Sequence, residues 1–149
     1  MASEDRTQQA ARFLHEAHLV RAQYQPIPDD ISPRDIGEAY DIQEVFHGLL
    51  ATERGAIAGY KIALTTTVMQ QMVGFRHPCS GAVFASGVHR SPVTINGSDY
   101  VHLGAECEIA VLLDRDLPAS AAPYDRESVS GAVAALMPAF ELVDDRGAD

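Results

Sequence analysis

The chain has 149 residues, which fits one domain or one domain with a helical annex. Eleven Lys and Arg against 21 Asp and Glu give a formal charge of −10, which argues against nucleic-acid and anionic-membrane partners because both are bound mainly through basic patches. No run approaches the ~18 apolar residues of a membrane span, and the charged N-terminus lacks the apolar stretch of a signal peptide, so we expect a cytoplasmic protein. Cys79 and Cys107 have no zinc-type spacing and indicate no disulfide framework.

The first third of the chain has the spacing of two amphipathic helices. Apolar residues recur at helical intervals over residues 4–24, which predicts the first helix. The second is predicted to begin with Ser32 as N-cap, Pro33 at the first helical position and Asp35 two residues later.

The middle of the chain changes from helical to mixed patterns. Residues 57–64, IAGYKIAL, predict a strand, and residues 65–74 predict a short helix that is capped by Thr65 and ends at Gly74. The next 26 or so residues are rich in Gly, Pro and Ser, with strand-like pieces at 82–85 and 88–95.

The last third is predicted to contain a strand at 105–113, a helix over 125–137 and a final strand at 139–143. Pro138 is expected to end the helix, because proline removes a helical hydrogen bond.

Two carboxylates, Glu106 and Glu108, lie at the start of the 105–113 strand. Side chains two apart on a strand share a face, so these acids would lie side by side and repel each other. The strand is otherwise apolar on both faces, so we expect it to be covered and its acids to be partly desolvated. A solvated strand end and a shared divalent cation are both open interpretations, and oxygen ligands favour Mg²⁺, Mn²⁺ or Ca²⁺.

A third acid, Glu141, lies within the last predicted strand between Phe140 and Leu142. Buried acids rarely occur without partners, so Glu141 favours the cation. Asp144 and Asp145 follow at the strand's end, where we expect exposure. Three carboxylates and one divalent cation leave a net negative site, and an anionic substrate would then need another positive group nearby.

Lys61 is the only lysine in the chain, and arginines supply all the other positive side chains. It lies inside the apolar stretch IAGYKIAL, where a lysine is not expected for solubility. It is either a side chain that snorkels from a strand edge or the positive group that the acidic site requires.

Five segments occur in order: GYKIALTT at 59–66, PCSGAVFA at 78–85, VHLGAECEIAVLL at 101–113, DLPA at 116–119 and MPAFELVDDR at 137–146. Together they resemble the family of 2-keto-4-pentenoate hydratases, 2-oxohept-3-ene-1,7-dioate hydratases and 4-oxalocrotonate decarboxylases, within the fumarylacetoacetate hydrolase superfamily. The resemblance runs from about residue 4 to the C-terminus, and the E-x-E with the later E-L-V-D-D-R is its most specific part.

The resemblance implies a Mg²⁺ or Mn²⁺ site with Glu106, Glu108 and Glu141 as ligands. It also implies that Glu106 and Glu108 are catalytic residues. The implied enzyme is a lyase, usually a homo-oligomer, of meta-cleavage aromatic degradation. Its metal chelates the 2-oxo-acid end of a small substrate and stabilises developing negative charge on oxygen. Water then adds to a 2-hydroxy-2,4-dienoate to give a 4-hydroxy-2-oxo acid.

The resemblance also implies that Lys61, Ser80 and Leu64 bind the substrate. Lys61 is in addition a catalytic residue, as electrostatic partner or proton relay, and desolvation beside Tyr60 would tune it.

The chain departs from the family in one loop. Many of these hydratases have an acid between a proline and a glycine where this chain has PCSG at 78–81. We therefore expect His77 or water to take over any proton transfer there.

The fold class that the resemblance implies is α+β, with an N-terminal helical α/β region at 1–76 and the start of a mixed β-roll or barrel-like core at 77–149. Family members continue through further strands, whereas this sequence stops eight residues after Glu141. We expect either the N-terminal part of a longer polypeptide or a truncated member whose open sheet edges need oligomeric cover.

Other functions share the same pattern of residues. A decarboxylase of vinylogous 2-oxo acids such as 4-oxalocrotonate would use the same chelate, and the scaffold cannot separate it from a hydratase. A C–C hydrolase of acylpyruvates would need a His-Glu dyad, which the sequence does not clearly show. A non-catalytic metal-binding partner or fragment is the alternative from a different class.

Overall fold

The computed structural model of the chain describes residues 5–147. The helices in this range are α1 (Arg6–Leu19), α2 (Ile36–Arg54), α3 (Thr67–Val73) and α4 (Arg126–Ser130), and the strands are β1 (Ile57–Ala63), β2 (Cys79–Phe84), β3 (Leu103–Leu113) and β4 (Val133–Asp144). Every helix among these residues is too short or too polar to traverse a bilayer. The chain divides into two compact units at Asn96 and Gly97.

Helices α1 and α2 pack together in the first unit, around buried Ala10, Ala11 and Ile42. The partly buried residues that surround these three are Leu14, Ile27, Ile31, Val45, Phe46 and Leu49. Small alanines on α1 allow the helices to approach closely, so burial of a few larger side chains stabilises the pair. The first helix was predicted to reach residue 24, but it ends at Leu19, and Arg21 takes a left-handed φ of 51°.

The start of α2 corrects the sequence prediction. Asp35 is the N-cap, and its carboxylate accepts a hydrogen bond from the Glu38 main-chain N–H at 2.9 Å. The Glu38 carboxylate in turn accepts from the Arg34 main-chain N–H at 2.7 Å and from its guanidinium at 3.0 Å. These bonds tie residues 34 and 35 to the first turn of α2, which begins at Ile36, so Ser32 and Pro33 precede the helix. The Arg34 hydrogen bonds lower the pKa of Glu38 to about 2.

Strands β1 and β2 form an antiparallel pair, which we call the β1–β2 ribbon. The predicted strand at 57–64 is confirmed as β1. The helix α3 follows it with Thr66, rather than Thr65, as the N-cap, and it ends as predicted at Gly74, whose φ of 77° favours glycine. The segment 88–95 was predicted to be strand-like but contains no strand.

Strands β3 and β4 form a longer antiparallel pair in the second unit, which we call the β3–β4 ribbon. The predicted strand at 105–113 is confirmed, whereas the predicted helix at 125–137 is wrong after Ser130. Val133 already begins β4, and Pro138 lies inside that strand, opposite Ile109. Pairing along β3 outweighs the helical pattern, and a proline is tolerated because both strands of a two-stranded sheet are edges.

The chain is thus a mixture of helices and antiparallel strands, as the α+β prediction requires. Each sheet in residues 5–147 has two strands, so the mixed roll or barrel-like core stays a prediction. The predicted division into regions 1–76 and 77–149 also stays a prediction, and by main-chain contacts β2 groups with the helices of the first unit.

Candidate metal centre

The β3–β4 ribbon brings three predicted metal ligands onto one face. Glu106 lies directly opposite Glu141, and Glu108 lies opposite Ala139. Antiparallel partners share a face, and so do residues two apart on one strand, so the register places all three carboxylates together. An error of one residue in this register would turn Glu141 to the other side of the ribbon.

The three carboxylates are close enough to share one ion. One oxygen from each of Glu106, Glu108 and Glu141 lies within 4.8 Å of the others. Metal–oxygen distances of about 2.0–2.6 Å let two ligand oxygens of one ion lie about 3–5 Å apart. A directly opposed pair of like charges is destabilising on its own. All three donors are carboxylate oxygens. Because these are hard ligands, the set fits Mg²⁺, Mn²⁺ or Ca²⁺.

The exposure of this face differs from the sequence prediction. Glu106 and Glu108 are exposed and Glu141 is half-buried, so the expected desolvation of the acids is not found within this unit. The apolar residues on the opposite face of the ribbon are exposed too, with Ile109 at 72% and Phe140 at 75%. The prediction assumed a strand covered on both faces, but the only α-helix in residues 97–147 is the five-residue α4.

Asp144 has a structural role that the sequence prediction missed. Its Oδ1 accepts hydrogen bonds from the main-chain N–H groups of Val101 at 2.7 Å and His102 at 3.0 Å. It is half-buried, not exposed as predicted, whereas Asp145 is exposed. Asp144 therefore holds the chain that enters β3 against the end of β4, close to the Glu106–Glu141 pair. No local pattern signals this role, because Val101 and His102 are 43 and 42 residues away from Asp144 along the chain.

The other predicted site residues, Lys61, Ser80 and Leu64, belong to the first unit. Lys61 lies opposite Gly81 on the β1–β2 ribbon, and its stem passes close over that glycine. A Cβ built on Gly81 would lie 3.5 Å from the Lys61 Cγ. Lys61 is exposed and Tyr60 is 73% exposed, so the predicted desolvation of the ammonium by Tyr60 is not found.

The register separates Ser80 from Lys61. Ser80 lies opposite Ile62, so its side chain is on the face of the ribbon opposite to that of Lys61. Cys79, which precedes Ser80 in the PCSG segment, shares the Lys61 face instead. The period of two puts Cys79 and Gly81 on one face and Ser80 on the other, but only the register with β1 shows which of these faces is that of Lys61.

Leu64 follows β1 directly and has a φ of 56°. The left-handed region costs a residue with a Cβ about 1–2 kcal/mol. The Leu64 carbonyl accepts a hydrogen bond of 2.8 Å from the side-chain amide of Gln70 on α3, which helps to hold this conformation.

Sequence comparison finds curated relatives that match nearly the whole chain. A 2-keto-4-pentenoate hydratase of Paraburkholderia phymatum is 32% identical over 146 residues, which are 98% of this chain and 55% of the relative. A TodF product hydratase of Pseudomonas putida is 32% identical over 142 residues, 92% of this chain and 50% of the relative. No protein-family model matches the chain. The chain is similar over nearly its whole length to the 2-keto-4-pentenoate hydratase family.

The fold agrees with this family. A solved 4-oxalocrotonate decarboxylase from Pseudomonas putida G7, complexed with magnesium and adipate, matches with a TM-score of 0.82 at 21% identity, over 99% of this chain and 55% of that chain. The same decarboxylase complexed with calcium and acetate matches with a TM-score of 0.81. The chain spans about half the length of the curated hydratases it matches.

Where the family pattern has an acid between a proline and a glycine, this chain has Cys79 and Ser80, the first two residues of β2. The preceding residue with acid–base chemistry, His77, is exposed, and its Nδ1 donates a hydrogen bond to the Pro78 carbonyl at 3.0 Å. That bond leaves its Nε2 as the nitrogen that accepts a proton. The predicted role of His77 in proton transfer stays a prediction.

Proposed function

We propose that this chain carries the metal-binding half of a hydro-lyase that adds water to a 2-hydroxy-2,4-dienoate and releases a 4-hydroxy-2-oxo acid. The observation that carries the proposal is the cluster of three carboxylates on one face of the β3–β4 ribbon, in a chain whose relatives are named hydratases. One such relative, from Comamonas testosteroni, is a 2-hydroxyhexa-2,4-dienoate hydratase, 27% identical over 89% of this chain.

Glu106, Glu108 and Glu141 would hold a Mg²⁺ or Mn²⁺ ion. The bound ion would supply Lewis acidity that stabilises negative charge on the oxygens of a 2-oxo acid. The three glutamates offer oxygens from two strands in a fixed register, so little reorganisation is needed to bring them together. The magnesium and calcium in the structurally similar decarboxylase support the choice of a hard divalent cation.

Lys61 would supply the positive charge that an anionic substrate requires. Its Nζ is the only lysine ammonium in the chain, and it would either bind the substrate carboxylate or carry a proton. Ser80 and Leu64 remain proposed substrate-binding residues. Ser80 would have to act from the opposite face of the ribbon to Lys61, and Leu64 could contribute its main chain and its side chain at the end of β1.

Decarboxylation of 4-oxalocrotonate is the second candidate function. The fold match to a 4-oxalocrotonate decarboxylase favours it, and the same three carboxylates would serve. The identity of 21% supports a common fold but not a common reaction. The proposed homo-oligomer and the cytoplasmic location stay predictions, and the exposed apolar residues of the β3–β4 ribbon are a surface that such an assembly could cover.

Two measurements on the purified protein test the proposal. Loss of the conjugated absorbance of 2-hydroxypenta-2,4-dienoate is followed with and without Mg²⁺, and CO₂ release is followed with 4-oxalocrotonate. We expect metal-dependent hydration. CO₂ release without hydration would select the decarboxylase.

Metal binding is measured separately by isothermal titration calorimetry. Glu108→Ala should abolish Mg²⁺-dependent turnover and weaken Mg²⁺ binding while the fold is kept, whereas Glu127→Ala on α4, outside the cluster, should change neither. Retained turnover in Glu108→Ala would remove Glu108 from the ligand set. Mg²⁺ binding without binding of oxalate or pyruvate, and without turnover, would indicate a binding-only protein.

A further inference from the structure

Two side chains on α2 bind the main chain of β2 at Ser80. Ser80 is the neighbour of Gly81, which lies opposite Lys61. The Ser80 main-chain N–H donates a hydrogen bond to the Tyr40 hydroxyl at 3.2 Å. The Gln43 side-chain amide donates to the Ser80 carbonyl at 3.1 Å. Tyr40 and Gln43 are three residues apart and therefore lie on one face of α2. Both main-chain polar groups of one β2 residue are thus bonded by a helix.

These bonds also fix how β2 pairs with β1. In an antiparallel ladder a residue whose N–H and C=O turn outward alternates with residues whose groups turn toward the partner strand. Because the groups of Ser80 turn toward α2, those of Gly81 turn toward Lys61 on β1. The helix therefore sets the position of the glycine over which the Lys61 stem passes.

A third side chain holds the end of β1, the strand that carries Lys61. Gln70 on α3 donates to the Leu64 carbonyl at 2.8 Å, three residues after Lys61. Leu64 has a left-handed φ of 56°, a conformation that L residues rarely adopt unless neighbouring groups hold it.

We infer that Tyr40, Gln43 and Gln70 are positioning residues for Lys61, because they fix β2 next to the Gly81 that pairs with Lys61, and the end of β1 three residues after it. We call these three residues the Lys61 frame. The inference rests on the proposed function, in which the Lys61 ammonium meets the substrate. Because the Lys61 ammonium is carried on a flexible four-carbon stem, its position depends on the position of the main chain at Lys61. Misplacement of a reacting group by about 1 Å costs up to ~10²-fold in rate.

The frame can be tested without any activity, because Lys61 is the only lysine. Selective labelling with ¹⁵N-lysine gives one main-chain amide signal, and its hydrogen-exchange rate reports the pairing of Lys61 with Gly81. Gln43→Glu and Gln70→Glu replace an amide donor by a carboxylate of the same shape, and Tyr40→Phe removes the hydroxyl.

We expect each frame variant to speed exchange of the Lys61 amide by about tenfold. Gln71→Glu, the same change at an exposed neighbour of Gln70, and Tyr24→Phe, at an exposed tyrosine, are the controls and should leave it unchanged. Equal exchange rates in the frame variants and in the unmodified chain would overturn the inference.

Steady-state kinetics in the enzyme test the link to the reaction. The frame variants should lower kcat/KM for the dienoate about 10-fold or more with unchanged Mg²⁺ affinity, whereas the two control variants should match the unmodified chain. Faster exchange with unchanged kcat/KM would overturn the positioning role. An unmodified chain that binds Mg²⁺ but turns over neither substrate would refute the proposed function, and with it the catalytic role of the Lys61 frame. The exchange data would still show whether the three residues hold the main chain at Lys61.

Discussion

Glu106→Gln should stabilise the metal-free protein while weakening its binding of Mg²⁺. Glu106 lies opposite Glu141 and two residues from Glu108, with one oxygen of each within 4.8 Å of the others. Two unit charges at that distance repel by about 0.9 kcal/mol at the dielectric constant of water, which suits a face where two of the three acids are exposed. Replacing Glu106 removes two such pairs, or about 1.7 kcal/mol before screening by salt. At 0.15 M salt the Debye length of about 8 Å reduces this to about 1 kcal/mol.

Urea unfolding followed by circular dichroism in the presence of EDTA measures the first half of this prediction. The gain in the free energy of unfolding should shrink between 0.05 and 0.5 M NaCl. Calorimetric titration with Mg²⁺ measures the second half, and we expect affinity to fall at least about 10-fold because one of three anionic ligands is lost. Glu127→Gln is the matched control, since that acid lies in the first turn of α4, and its loss should slightly destabilise the protein.

The reasoning would be refuted by a Glu106→Gln protein that is no more stable than the unmodified chain in EDTA and binds Mg²⁺ equally well. Such a result would mean that the three carboxylates do not form one electrostatic site.

Ile42→Ala should lower the free energy of unfolding of the helical unit by about 2–3 kcal/mol, since Ile42 is 3% exposed and contacts the alanines of α1. The control is Ile36→Ala on the same helix. Ile36 is 42% exposed, so its replacement should lower the free energy of unfolding by well under half as much. Urea unfolding checks this, and equal costs at both positions would contradict the assigned core. Glu38 has a folded pKa of about 2, below its ordinary 4.5, so its stabilising effect is present above pH 4.5 and is lost as the pH falls toward 2. Glu38→Gln should therefore have a lower Tm than the unmodified chain at pH 6 and an equal Tm near pH 2. A difference in Tm that stays constant between these pH values would exclude the Arg34–Glu38 interaction as the source of the difference.

Much of the local structure follows from the sequence alone. The apolar run at 105–113 predicts β3, and the helical spacing after residue 4 predicts α1, because local propensity in these two segments agrees with the fold. The E-x-E spacing likewise places Glu106 and Glu108 on one face. The sequence prediction failed over 132–137, where Ala, Leu and Met favour a helix but pairing with β3 decides for the strand.

The sequence by itself determined the residues of this protein's candidate site: two acids at strand spacing, a third acid within an apolar strand, and one lysine. Only the tertiary structure decided which of them meet. The β3–β4 register places Glu141 opposite Glu106, the β1–β2 register places Gly81 rather than Ser80 on the Lys61 face, and helix side chains hold Ser80 and Leu64 by their main chains. The physical reason is that pairing between strands depends on hydrogen bonds and packing among residues that are distant along the chain, which no local pattern encodes.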